Sequence, residues 1–346
     1  MTLHLQQSPI QVPDRYSDRY REVSAVAARQ PAASPVLSAP PGISVIGLEQ
    51  AGVVAVACLA HLGFPVIGVD IRADRTAEIL DGNAPEHDPK LERLLLDGVR
   101  DGRIQTRQNA ITAVLDTDVT LLTADCTRVA PGTGRGGRPE MLVHTSRAIG
   151  QALAMKRGYH VIVVAGVAQR GSLLETVVPE LERASGKQLG EDFGLCCMPS
   201  FGRPQTTVYD FYSPTRTVVG TSDKRAASAV AGIVRLIDTN AIYTSIEAAE
   251  MAKRAEILWR ATRSAFDAEI ERFCVALDVD AAEVMDIFRA SVRAAPSPAR
   301  PAPTVARTGL DGRTELRDDL RAAARLGARC GVALPLLESL LAGDLD

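Results

Sequence analysis

No single charge dominates this chain: 39 Lys and Arg against 42 Asp and Glu leave a formal net charge of -3 over 346 residues, with the signs well mixed. That gives no electrostatic footprint for nucleic acid. Histidine is sparse, with five scattered residues, so no metal cluster is expected. The six cysteines (Cys58, Cys126, Cys196, Cys197, Cys274 and Cys330) lie mostly inside apolar segments. They lack paired metal-ligand spacing and follow no secretory leader, which points to a reducing cytoplasm. Long apolar runs are missing as well. Val53-Val-Ala-Val56 and Val161-Ile-Val-Val164 fall far short of the roughly 20 residues a membrane helix needs, so no membrane partner is expected. What the chain does have is 46% hydrophobic residues and length enough for two domains, or for one α/β domain with a helical extension.

Residues 1–40 are rich in Gln, Ser, Ala, Pro and Arg without sustained period and read as a flexible arm. From Ile43 onward apolar strands alternate with helical stretches: Ile43 to Gly47, Val66 to Asp70, Val119 to Leu122, Val161 to Ala165, Phe193 to Met198 and Thr217 to Gly220. That rhythm predicts a doubly wound parallel sheet over residues 41–240, in the α/β class. Residues 241–346 read as a helical domain. It opens with one long helix, Ile246 to Leu277, whose apolar residues recur at three- and four-residue steps, and continues with Ala281 to Ala290 capped by Asp280. A proline-rich loop over 294–303 and a last helix from Glu315 to Cys330 follow. Adjacent Cys196 and Cys197 are expected on opposite faces of one strand, which argues against a redox pair.

The first strand runs into Gly47-Leu-Glu-Gln-Ala-Gly52 and the opening of a helix, and the second strand ends on Asp70. This is the spacing of a Rossmann βαβ unit, in which glycines form the turn and the carboxylate binds a ribose. The middle position, where backbone must come up against a pyrophosphate, carries Glu49. Two like charges about 4 Å apart repel by roughly 4 kcal/mol at an effective dielectric near 20. The expectation is therefore that Glu49 excludes a dinucleotide and that the chain uses no cofactor. Gly47, Gly52 and Asp70 then persist as fold remnants, with Asp70 either a ribose-binding residue or a strand-end cap.

From Ile43 to about Ser339 the chain resembles the UDP-glucose/GDP-mannose 6-dehydrogenases, most closely the GDP-mannose type. The matching segments are the turn at Gly47, Val66-Ile-Gly-Val-Asp70, Asp88-Pro-Lys-Leu91, Tyr209-Asp-Phe211, Thr217-Val-Val-Gly220 and Glu247-Ala-Ala-Glu-Met-Ala-Lys253. Phe266-Asp-Ala-Glu-Ile270, Val279 to Ile287 and Asp319-Leu-Arg-Ala322 continue the series. The resemblance implies a Rossmann-like domain followed by a central, dimerising helical domain, NAD as the default cofactor, and two hydride transfers through a cysteine-linked intermediate. By the same resemblance Glu315 stands where the nucleophilic cysteine belongs, Ser200 replaces a glutamate, Val167 a threonine and Ile257 an asparagine. Asp125 adds a carboxylate in the loop after the fourth strand. The third, nucleotide-sugar-binding domain of the family is expected to be absent.

Lys253 and Asp319 survive from the family's reaction centre. Lys253 is either a base or electrostatic stabiliser lowered in pKa by desolvation or a solvated helix lysine. Glu315 and Asp318 read either as an acidic cluster beside Asp319 or as an exposed helix start. Tyr209, Phe211 and Tyr212 are expected to pack at the domain junction. The functional expectation is a repurposed scaffold without NAD-dependent redox chemistry. It would bind a small molecule, or act on it by acid–base catalysis of the cyclase, isomerase or lyase type, with Lys253, Asp319, Glu315, Glu49 and Asp125 as candidate donors and acceptors. A pseudoenzyme working through homodimerisation and a residual NAD-dependent oxidoreductase are the alternatives.

Overall fold

A computed structural model describes residues 40–123, 140–166, 173–201, 207–294, 328 and 331–342. The chain divides into two compact units, residues 1–254 and 255–346. The expected flexible arm, Asp125, Val167, Glu315, Asp318, Asp319, the proline-rich loop beyond residue 294 and most of the last expected helix lie outside the described residues.

The first unit is built on an eight-stranded sheet of order β3-β2-β1-β4-β5-β6-β7-β8. Its strands are β1 (Ile43–Ile46), β2 (Val66–Val69), β3 (Ile104–Arg107), β4 (Val119–Leu122), β5 (His160–Val164), β6 (Phe193–Cys197), β7 (Val218–Gly220) and β8 (Ile242–Thr244). β1 lies at the switch point, with Ile43 paired to Val66 on one side and to Val119 on the other, both in parallel register. Every residue of β1, β2, β5 and β6 is buried, as strands covered on both faces require.

Helix α1 (Gln50–His61) follows β1 and is buried from Gly52 to Ala60, so its alanines and valines are apolar nearly all round instead of forming a stripe. The helices α2 (Ala73–Leu80) and α3 (Pro89–Arg100) follow β2. Asp88 caps α3 by accepting from the Lys90 and Leu91 amides, with Pro89 pre-set for the first turn. After α4 (Ala110–Leu115) and β4 come α5 (Glu140–Met155), β5, α6 (Leu173–Thr176) and α7 (Val178–Ser185). Cys196 and Cys197 fall into the two different cores that sandwich the sheet, as strand alternation requires.

The sheet is mixed, not wholly parallel: β7 runs antiparallel to β6 through the pair Cys197–Gly220. A parallel return needs a crossover that spans the sheet. Among the described residues, the connection from Cys197 to Val218 carries only α8 (Val208–Tyr212), which packs back on α1, where the Tyr212 hydroxyl donates to the Cys58 carbonyl. Phe211 is buried in the same core and Tyr212 packs against it, while Tyr209 is exposed.

A polar chain threads the sheet interior. Thr117 Oγ1 donates to Ser44 Oγ, which shares a 2.7 Å bond with Thr120 Oγ1, and Thr120 meets His160 Nε2 at 2.7 Å. His160 Nδ1 lies 3.1 Å from the Thr117 carbonyl. Burial, helped by the nearby Lys156 charge, pushes the His160 pKa down to about 3, so the ring is neutral.

Helix α9 (Lys224–Val234) follows β7, and the long α10 (Ile246–Ala276) follows β8; the boundary between the units falls within α10. In the second unit α11 (Ala281–Ala294) starts at Asp280, whose carboxylate accepts from the Ala282 and Glu283 amides. Phe266 and Phe288 pack with centroids 5.4 Å apart, and Glu269 accepts from the Leu336 amide at α12 (Pro335–Ala342).

Candidate functional site

The parallel strands present their C-terminal ends along one edge, the place where open α/β sheets hold ligands. At β1 the chain turns through Gly47, whose φ of 95° only glycine adopts without strain. A Cβ on Gly52 would lie 1.8 Å from the Gly47 carbonyl oxygen, so the missing side chain is what lets α1 start against the turn. Leu48 between them is buried beneath Gly68.

Asp70, just past β2, ties the two strand ends together. Its Oδ2 accepts from the Leu48 amide at 3.2 Å and its Oδ1 from the Arg72 amide at 3.0 Å. An ionised carboxylate has about four acceptor positions, so two such bonds leave room for a ribose hydroxyl. Glu49 occupies the N-cap position of α1 in extended conformation and makes no capping bond. Its carboxylate instead stands 3.5 Å from Arg75 Nη2, and Arg75 Nη1 lies 3.8 Å from Asp70. One guanidinium on α2 thus faces both carboxylates. Leu48, Glu49, Gln50, Val53, Arg72 and Arg75 help to line a cleft of about 420 Å³ here.

Lys253, on the first turns of α10, places Nζ 5.7 Å from the Phe201 ring centroid, beyond the end of β6. β1 and β6 are three strand spacings apart in the sheet order, about 14 Å at the usual separation. Glu49 thus follows β1, and Lys253 lies beyond the end of β6. Glu250, one turn earlier, is 1% exposed, and its Oε1 accepts from the Leu173 amide at 3.1 Å, anchoring the start of α6. Sequence reading missed Arg75 and Glu250. The Glu-Met-Ala-Lys spacing within residues 250–253 was the available signal for Glu250, whereas nothing local marks Arg75.

Burial raises the Cys58 and Cys196 thiols to about 12 and moves Cys197 upward too, so none of the three is a thiolate at neutral pH. Among the described residues no group of three or more His, Cys, Asp or Glu side chains is placed to hold a metal. Nor is any described helix long and apolar enough to cross a membrane.

Residues 42–238 match the NAD binding domain of the UDP-glucose/GDP-mannose dehydrogenase family, and residues 247–342 match its central domain. The GDP-mannose 6-dehydrogenase of Azotobacter vinelandii is 34% identical over 245 residues, 71% of this chain and 56% of that protein. The Pseudomonas putida enzyme of the same name is 32% identical over 300 residues, 86% of this chain and 67% of its own length. The ternary-complex crystal structure of GDP-mannose dehydrogenase from Pseudomonas aeruginosa superposes with a TM-score of 0.74 at 30% identity, covering 87% of this chain and 67% of that one. The chain thus spans little more than half the length of the first of these relatives.

These matches overturn the expectation of a chain without cofactor, since the segment bearing Glu49 is itself recognised as an NAD binding domain. The physical reason lies in Arg75. The repulsion assigned to Glu49 assumed an isolated carboxylate aimed at the pyrophosphate, whereas the side chain is half-exposed and paired with a guanidinium. The turn itself keeps the glycines and the strand-end carboxylate of a Rossmann βαβ unit at Gly47, Gly52 and Asp70. On fold and on sequence alike, this chain belongs to the UDP-glucose/GDP-mannose dehydrogenase family.

Proposed function

We propose that the chain is an NAD-dependent oxidoreductase of small molecules that departs from its 6-dehydrogenase relatives by removing a single hydride. The observation that carries the reading is the Gly47–Gly52 turn with Asp70 bonded to the Leu48 amide. Gly47, Gly52 and Asp70 would hold the dinucleotide, Asp70 at a ribose. NAD bound there supplies a hydride acceptor. Lys253, at the same edge beside Phe201, would move the substrate proton. The resemblance puts Glu315 in place of the nucleophilic cysteine, and the buried thiols of Cys58, Cys196 and Cys197 offer no substitute. Without a cysteine at position 315 no thiohemiacetal forms there, and oxidation stops at the carbonyl.

A second reading is favoured by the replacements at Ser200, Ile257 and Glu315: net cyclisation, isomerisation or elimination by Lys253 acid–base chemistry with the dinucleotide retained. Calorimetric titration of NAD into the full chain tests the common part. Saturable binding, weakened in Asp70→Ala with cooperative unfolding retained, supports it, and no binding to the unaltered chain sinks it. Product analysis then separates the two, because one equivalent of reduced nicotinamide per substrate belongs to the first and none to the second. We also propose a cytoplasmic homodimer formed through α10, on which Leu258 and Trp259 are each 66% exposed.

A further inference from the structure

The face of the sheet that carries α1 is not filled across its width. Between α1 and α9 lies a tunnel of about 160 Å³, and none of its lining residues belongs to the cleft beside Arg75. Its floor is Ile43, Val119 and Val163, alternate residues of β1, β4 and β5 that share this face. One wall is Ala51, Ala55 and Leu59 on α1, where the two alanines, one turn apart, leave the space open. Val230 and Val234 on α9 form the other wall. Close-packed interiors rarely keep a void of this size. A dry apolar cavity of about 150 Å³ takes up benzene.

The lining is graded in polarity. Apolar side chains cover the floor and both walls, while Thr123, Ser200, Arg216 and Thr217 are the polar members. All four gather at the C-terminal edge. Thr123 directly follows β4, and extending the antiparallel register from the pair Cys197–Gly220 sets Ser200 across from Thr217. The Thr217 hydroxyl is buried at this mouth, beside the Asp238 carboxylate. Three hydroxyls and a guanidinium at one mouth of an apolar tube suit an acceptor-rich head, with a tail running down the tube. From Val119 to Thr123 the floor extends about 13 Å. A volume this small spread over that length suits an unbranched chain better than a ring.

We infer that this tunnel binds a medium-chain aliphatic carboxylate, tail toward Ile43 and Val119, head at Arg216, Thr217 and Ser200. It shares no lining residue with the cleft beside Arg75, though Ala51 belongs to the Gly47–Gly52 turn and Thr123 lies beside Gly52, and it stands whether or not that cleft binds NAD. Asp238 accepts from the Thr217 amide at 3.1 Å and lies near Arg216, so the head meets a partly compensated guanidinium. The tail therefore carries most of the affinity.

Calorimetric titration of the full chain with straight-chain carboxylates from butyrate to dodecanoate, without NAD, tests the inference. Affinity should rise about fourfold per methylene, then break near six to eight carbons as the tunnel fills. Ala55→Leu, which narrows the tunnel midway, should weaken octanoate at least tenfold and leave the NAD titration unchanged. Arg216→Gln should abolish the preference for octanoate over 1-octanol. No binding by the unaltered chain, or affinity that climbs through dodecanoate without a break, overturns the inference. So does equal octanoate binding by a folded Ala55→Leu variant. The length series decides by itself should that variant not fold.

Discussion

Single residues of this chain were legible where the backbone dictates them and illegible where a distant partner does. Gly47 and Gly52 could be read from sequence because a positive φ and a 1.8 Å approach admit nothing larger. Glu49 was read as a bar to the dinucleotide because its partner, Arg75, comes from another helix and no local pattern announces it. Replacing Glu49 with glycine should tighten NAD by about fivefold, since removing one partly paired charge near the diphosphate is worth about 1 kcal/mol in a wet cleft. Unchanged or weaker affinity in the calorimeter would mean the carboxylate plays no electrostatic part. His160 gives a prediction of another kind. Its folded pKa of about 3 lies below the ordinary value of 6.5, so protons favour the unfolded chain. Its contribution is intact above pH 6.5 and drains away as pH falls toward 3, by up to about 1.4 kcal/mol per pH unit. Urea midpoints measured from pH 7 to pH 5 should fall more steeply for the native chain than for His160→Gln, whose amide spans similar partners without titrating. Parallel curves would show that His160 does not set the slope.

At the scale of elements, the buried strands β1, β2, β4, β5 and β6 announced themselves as apolar runs, whereas β3 and β8 did not. Ile104-Gln-Thr-Arg107 buries only its first residue, and Ile242-Tyr-Thr244 buries none, because both lie at the rims of the sheet, where little hydrophobic pattern is demanded. The reversal of β7 was hidden for a different reason: strand direction depends on what the connection can span, and α8 is only five residues long. Lys156 shows how one side chain can finish an element. Half-buried, it donates to the carbonyls of Val114, at 2.7 Å, of Leu115, at 3.2 Å, and of Thr117, closing the C-terminus of α4. Desolvation lowers its pKa. Lys156→Met keeps the stem but strands those carbonyls, and should cost about 2 kcal/mol. That corresponds to a fall in melting temperature of about 4–8 °C for a unit of this size. A shift below one degree in a thermal scan would mean water replaces the ammonium without penalty.

For the whole molecule the chemistry of the surface decides. Large hydrophobic side chains left in water occur in both units, and several of them lie along α10. Met251, Leu258, Trp259 and Val275 are each at least 60% exposed. A soluble monomer rarely leaves so many large apolar side chains uncovered on one helix. The sequence made α10 readable as a helix through its three- and four-residue steps, but a helix with apolar residues on more than one side cannot say which side meets its own core. Pairing of two chains along α10 would bury the remainder, and a stable interface needs about 1,200 Å² or more in total. Trp259 is the single tryptophan of the chain, so its fluorescence reports on this helix alone. Dilution from micromolar toward nanomolar concentration should red-shift its emission as the pair separates. Light scattering over the same range should fall from twice the chain mass to one. Leu258→Asp should give the monomer mass throughout, with its helical circular dichroism retained and the tryptophan already red-shifted at high concentration. If the native chain scatters as a monomer at every concentration, α10 does not pair, and the apolar residues along it must be covered by something other than a second copy.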